Sequence, residues 1–227
     1  MRSAGLFLIM EKNRAILLNA LKSYKASDRF ALTFAEKISI PRGHRDGNDL
    51  FDYETAVREF IEETGTYFES AYVYNYPFYL QWNDDGVVYK YYIYIGILKG
   101  ILQTLPQSPN TFCVRLKSSS YKSNDYNIYI TIRKQNNELP RNLYISTLNE
   151  YYQYMYEKQL VTYRSSNYVQ FFEYIEIIKN KFDCCQLKDF FLLRLHFSSQ
   201  SFTTSPCRRK KISSAIKTEL RNIITRA

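Results

Sequence analysis

The stretch Arg58-Glu59-Phe60-Ile61-Glu62-Glu63-Thr64-Gly65 constrains this chain more than any other. On a helical wheel of about 100° per residue, Ala56, Val57, Phe60, Ile61 and Thr64 share one arc of roughly 140°. Arg58, Glu59, Glu62 and Glu63 share the opposite arc. The pattern predicts a helix from about Asp52 to Thr64. Asp52 is its candidate N-cap, and Gly65 stands where a left-handed residue ends a helix with least strain. Glu59 lies i, i+3 from Glu62 and i, i+4 from Glu63. Such like-charge pairs sit within about 6 Å and cost a few tenths of a kcal/mol each. Acids at the carboxyl end of a helix also oppose its dipole.

Two readings follow: a solvated charged face, or carboxylates gathered around a cation. The turn Pro41-Arg42-Gly43 after the short strand Ile38-Ser39-Ile40 favours the second, because the Gly43 carbonyl can reach the same place. Oxygen ligands of this kind suit Mg2+ or Mn2+ rather than zinc.

Around this segment the pattern is mixed. Ala4 to Met10 and Arg14 to Leu21 read as strands joined by a turn near Lys12-Asn13. Ala71 to Tyr79 and Val87 to Leu98 read as strands joined by a hairpin at Asn83-Asp84-Asp85-Gly86. Lys99 to Pro140 reads as a long loop carrying Pro106 and Pro109, with strand-like alternation over Tyr126 to Ile132. Thr147 to Leu160, Tyr168 to Phe182, Leu187 to Phe197 and Ser213 to Ile224 read as helical. The expected organisation is a domain over 1–160 and a helical extension with a basic tail over 161–227.

Composition narrows the function classes. At 45% hydrophobic residues over 227 the chain can build a real core. No apolar run approaches the roughly 20 residues that span a bilayer, so a soluble, intracellular protein with no membrane partner is expected. Cys113, Cys184, Cys185 and Cys207 lack the paired spacing of a zinc site. The net charge of +9 favours polyanionic partners. The tail from Cys207, with Arg208, Arg209, Lys210 and Lys211, is either an RNA-contacting segment or a solvated terminal helix. Arg42 and Arg45 flank Gly43 and are candidates for substrate phosphates; His44 is a candidate for acid-base work or a bystander. Glu36, Glu138 and Glu150 are candidates for a further ligand or base. Tyr72, Tyr74, Tyr89, Tyr91, Tyr92 and Trp82 either stack on a nucleobase or pack in the core.

Gly43 followed by Arg58 to Thr66 resembles the Nudix box, G-x5-E-x7-R-E-U-x-E-E-x-G-U. The tail of the motif matches closely. The first glutamate falls on Asp49, with Asp46 and Asp52 as alternatives; eight residues rather than seven separate Asp49 from Arg58, and Thr66 stands where an aliphatic residue is usual. The run from Ile38 to Gly96 is similar to baculovirus Nudix proteins described as ADP-ribose pyrophosphatases. This resemblance implies an α/β/α Nudix sandwich with a mixed sheet and a helical carboxyl-terminal portion. It implies hydrolysis of a nucleoside diphosphate derivative, with capped RNA as the alternative substrate and a non-catalytic binding module as the second alternative. By resemblance, Glu62 and Glu63 bind divalent ions, Glu59 ligates metal or helps activate water, and Arg58 orients a glutamate.

Overall fold

The computed structural model describes residues 2–20, 38–84, 86–119, 124–133, 141–160 and 165–203. The tail from Cys207, the expected helix over Ser213 to Ile224, Glu36 and Glu138 lie outside them. Among the described residues one mixed sheet is built from eleven strands. These are β1 (Ser3–Met10), β2 (Arg14–Ala20), β3 (Ile38–Ser39), β4 (Arg42–His44), β5 (Thr66–Tyr74) and β6 (Phe78–Asp84), then β7 (Val87–Thr104), β8 (Phe112–Ser118), β9 (Asp125–Ile132), β10 (Arg141–Thr147) and β11 (Phe190–Thr203). The order is β10-β2-β1-β7-β5-β11-β9-β8, with β3 on β2, β4 on β1 and β6 on β7. β1 runs parallel to β7, and β11 runs parallel to β9. The helices are α1 (Asp52–Thr64), α2 (Leu148–Tyr154), prolonged by a π-turn over Met155–Gln159, and α3 (Tyr168–Asp183).

The sheet separates two cores, which makes the molecule an α/β/α sandwich. β1 is apolar without interruption because both of its faces are covered. Leu6 and Leu8 pack with Val57, Phe60 and Ile61 of α1. Phe7 and Ile9 point the other way, to Tyr151 of α2 and Phe171 and Ile175 of α3. Phe112 and Val114 of β8 and Ile128 and Ile130 of β9 join the α1 side. α3 and β11, which follow residue 160, are built into the same cores and sheet. Lys12 and Asn13 form the β1–β2 turn with positive φ angles of 59° and 54°. Among the described residues no helix is long and apolar enough to cross a membrane.

Three local expectations are corrected. The N-cap of α1 is Phe51, not Asp52. The helix starts there because the Glu54 carboxylate reaches back to accept from the Leu50 and Phe51 N–H groups. Within the expected loop from Lys99 to Pro140, β7 continues to Thr104, and β8 is a strand whose alternate residues Phe112 and Val114 are buried. Leu187 to Phe197 is not helical. A 3-10 turn over Leu187–Asp189 leads into β11, where Leu193 and Leu195 are buried and Arg194 and His196 are exposed, the period of a strand.

Candidate active site

The acid ridge is not a solvated face. Arg58 is 3%, Glu59 8% and Glu62 2% exposed. α1 presents these residues toward β4, β8 and β10 rather than to water. Gly65 closes the helix in the left-handed region (φ 66°), and its N–H donates to the Ile61 carbonyl at 3.0 Å. The Asn110 N–H, in the loop before β8, donates to the Glu62 carbonyl at 2.8 Å.

Arg58 is the hub. Its Nε donates to Asp49 Oδ1 and Oδ2 at 3.2 and 3.1 Å, and Nη2 donates to Asp49 Oδ2 at 3.0 Å and to the His44 carbonyl at 2.7 Å. Nη1 donates to Glu59 Oε1 at 2.7 Å and to Glu62 Oε2 at 3.4 Å. Of the three acids weighed for the front of the motif, Asp49 is the one on the arginine; Thr55 Oγ1 and the Asp46 N–H fix it further, at 2.9 and 3.0 Å. Asp52 instead pairs with Arg2 and Arg45, both at 3.6 Å. Burial alone would lower the Arg58 pKa, but the charges of Glu59, Glu62 and Asp49 outweigh it and hold the guanidinium more firmly protonated than usual.

The glutamates have different surroundings. The Glu59 carboxylate lies against Gly43, where a Cβ would come within 2.2 Å of its carboxyl carbon; only glycine leaves that space. Glu62 accepts from the Val114 N–H of β8 at 2.7 Å. Burial, then the Glu59 charge, push its pKa to about 7 against the pull of Arg58, Val114 and Arg133. Glu63 accepts from the Arg42 N–H at 2.8 Å and meets Arg141 Nη1 of β10 at 3.4 Å. Burial carries its pKa to about 8, Arg141 opposing and Glu59 adding. Both groups keep protons at pH values where the unfolded carboxylates have lost theirs. Each therefore subtracts folding stability as pH rises from the ordinary carboxylate range toward 7 to 8.

The other expected contacts fall elsewhere. The Arg42 guanidinium lies over the rings of Trp82 and Tyr91, 5.2 and 4.9 Å from their centroids, and Nη1 donates to the Ile40 carbonyl. Arg45 donates to the backbone carbonyls of Asp49 and Leu50, bracing the loop that carries Asp49. His44 bonds Ser3 Oγ at 2.6 Å. Trp82 is buried, stacked between Tyr89 and Tyr91 over the second core. Glu150 belongs to a capping box with Thr147 at the start of α2. Sequence reasoning missed Arg141 and the Val114 N–H; both arrive on strands, and nothing local to either residue marks it.

Among the described residues no three Asp, Glu, His or Cys side chains are gathered around one point that an ion could occupy. Arg58 and Arg141 stand on the carboxylates instead. The chemistry of the donors nevertheless suits a hard divalent ion: all are oxygen, and burial raises the proton affinity of Glu62 and Glu63, a penalty that a bound cation would remove.

No model of a protein family matches the sequence. The chain is 50% identical over 197 residues to a protein of Autographa californica nuclear polyhedrosis virus named ADP-ribose pyrophosphatase ORF38, covering 85% of this chain and 91% of that one. It is 52% identical over 189 residues to an uncharacterised 24.3 kDa protein of Orgyia pseudotsugata multicapsid polyhedrosis virus, covering 83% and 89%. Among solved structures, a Nudix hydrolase from Nitrosomonas europaea superposes with a TM-score of 0.40 at 12% identity, over 79% of this chain and 90% of that one. The viral relatives and the box between Gly43 and Gly65 define an enzyme of the pyrophosphohydrolase class. The chain belongs to the same family as these baculovirus proteins, one of which is named an ADP-ribose pyrophosphatase.

Proposed function

We propose that the protein hydrolyses ADP-ribose to AMP and ribose 5-phosphate inside the infected cell, with Mg2+ or Mn2+ held by the ridge of Glu59, Glu62 and Glu63 beside Gly43. The observation that carries the site is the Glu59 carboxylate seated against Gly43 while Arg58 holds it at 2.7 Å. The substrate follows from the name of the Autographa relative.

In this reading, water adds a hydroxyl to one phosphorus, the bridging oxygen leaves on the other phosphate, and the proton released by the water ends on a carboxylate or that phosphate. Glu59 is placed to take the proton, because Arg58 Nη1 holds and orients its carboxylate at 2.7 Å. Glu63, fixed through the Arg42 N–H, and Glu59 would hold the ion. Glu62, anchored by Val114, shares Arg58 with Glu59 and completes the set. A bound divalent ion supplies neutralisation of the charge that grows as the anhydride breaks. Arg45 holds the Asp49 loop, and Asp49 holds Arg58, so both act by positioning.

Incubating the purified protein with ADP-ribose and, separately, with cap-labelled RNA tests this. AMP and ribose 5-phosphate are expected in Mg2+ or Mn2+, and neither product in EDTA. Turnover of capped RNA with none of ADP-ribose would transfer the assignment to decapping. Failure of both substrates would leave a binding module.

A further inference from the structure

Two arginines grip the acid ridge in unlike ways. Arg58 is buried and makes contacts of 2.7 to 3.4 Å to three carboxylates and a carbonyl. Arg141, the first residue of β10, meets Glu63 through one Nη1–Oε1 contact of 3.4 Å, with the two side chains 21% and 14% exposed. β10 is the terminal strand of the sheet, hydrogen-bonded to β2 with Arg141 opposite Ala20. This single contact between part-exposed side chains is more readily exchanged than the several contacts that fix buried Arg58. The Arg42 guanidinium is occupied by aromatic rings and that of Arg45 by backbone carbonyls. Among these arginines, Arg141 is the one whose guanidinium is held at Glu63 by a single contact.

We propose that Arg141 is a displaceable partner of Glu63: it holds the Glu63 side chain until a divalent ion binds, yields that carboxylate to the ion, and then binds the diphosphate of the substrate. The inference rests on the reading of Glu63 as an ion ligand. Charge supplies the direction. An ion on Glu63 repels the guanidinium, and the anion then nearest is the substrate's diphosphate, whose oxygens fit the planar fork of arginine.

The test titrates Mn2+ into substrate-free protein, following the free ion by electron paramagnetic resonance, for wild type, Arg141→Gln, Arg141→Lys and Glu63→Gln. Arg141→Gln should bind Mn2+ about fivefold more tightly, the low end of site-to-site coupling. Arg141→Lys should stay close to wild type, and Glu63→Gln should bind more weakly. Steady-state kinetics on ADP-ribose should show KM raised about tenfold in both Arg141 variants, with a smaller change in kcat. Unchanged or weaker Mn2+ binding in Arg141→Gln, while Glu63→Gln weakens it, would reduce Arg141 to a strut and overturn the proposal. Unchanged binding in Glu63→Gln would instead remove Glu63 as a ligand, and with it the proposed function of the site. Should Arg141→Gln not fold, Arg141→Lys decides: an unchanged KM overturns the proposal.

Discussion

Replacing Arg58 by methionine is expected to destabilise the fold by about 3–5 kcal/mol at pH 8. Methionine keeps most of the aliphatic volume, so the loss isolates the charge. Asp49, Glu59 and Glu62 are all less than a tenth exposed and share this one guanidinium. Removing it leaves up to three buried carboxylates without their common partner, and the Glu62 pKa, already raised by burial, loses the pull of Arg58 and rises further. In the variant Glu62 keeps a proton that the unfolded chain releases, so its stability falls as pH climbs. The deficit should therefore be smaller at pH 5.5 than at pH 8. Urea midpoints for both proteins at the two pH values measure this. A loss under about 1 kcal/mol at pH 8, the size of an exposed pair, or a larger deficit at pH 5.5, would show that Arg58 is not the hub.

Glu63→Gln separates activity from stability. Glutamine retains an oxygen for the Arg42 N–H, which the carboxylate accepts at 2.8 Å. It gives up the charge that burial makes unfavourable near neutral pH. Turnover should fall about a hundredfold or more, equivalent to roughly 3 kcal/mol of lost charge stabilisation. The melting temperature at pH 8 should be no lower than that of wild type. An unchanged rate would remove Glu63 from the site. A collapsed melting temperature would mean that the carboxylate serves the fold instead.

What the sequence makes legible is what is local. The α1 ridge is readable because a 3.6-residue period is contained within one helix, and Gly65 terminates it as its position implies. The insertion that puts eight residues between Asp49 and Arg58 obscures their pairing, which depends on how the loop folds back and on the brace from Arg45. Arg141 and Val114 reach the ridge from β10 and β8, at opposite ends of the sheet path, so only the tertiary fold brings them to one helix. β11 was open to a better reading. Leu193-Arg194-Leu195-His196-Phe197 alternates apolar and polar, a period of two that the apolar run Phe190-Phe191-Leu192 before it masks. Trp82 and the tyrosines around it show the reverse difficulty. Their residue type suits base stacking, but alternation along β6 and β7 turns Trp82, Tyr89 and Tyr91 onto one face, where they pack with one another and with Arg42.

The proposed function requires the ridge to bind a divalent ion at the carboxylates on which Arg58 and Arg141 sit. Crystals of the wild-type protein soaked in Mn2+ and measured for anomalous scattering test it directly. A manganese peak should lie within ligand distance of Glu59 and Glu63, with Arg141 turned away. A peak elsewhere, with Arg58 and Arg141 still seated on the glutamates, would contradict it.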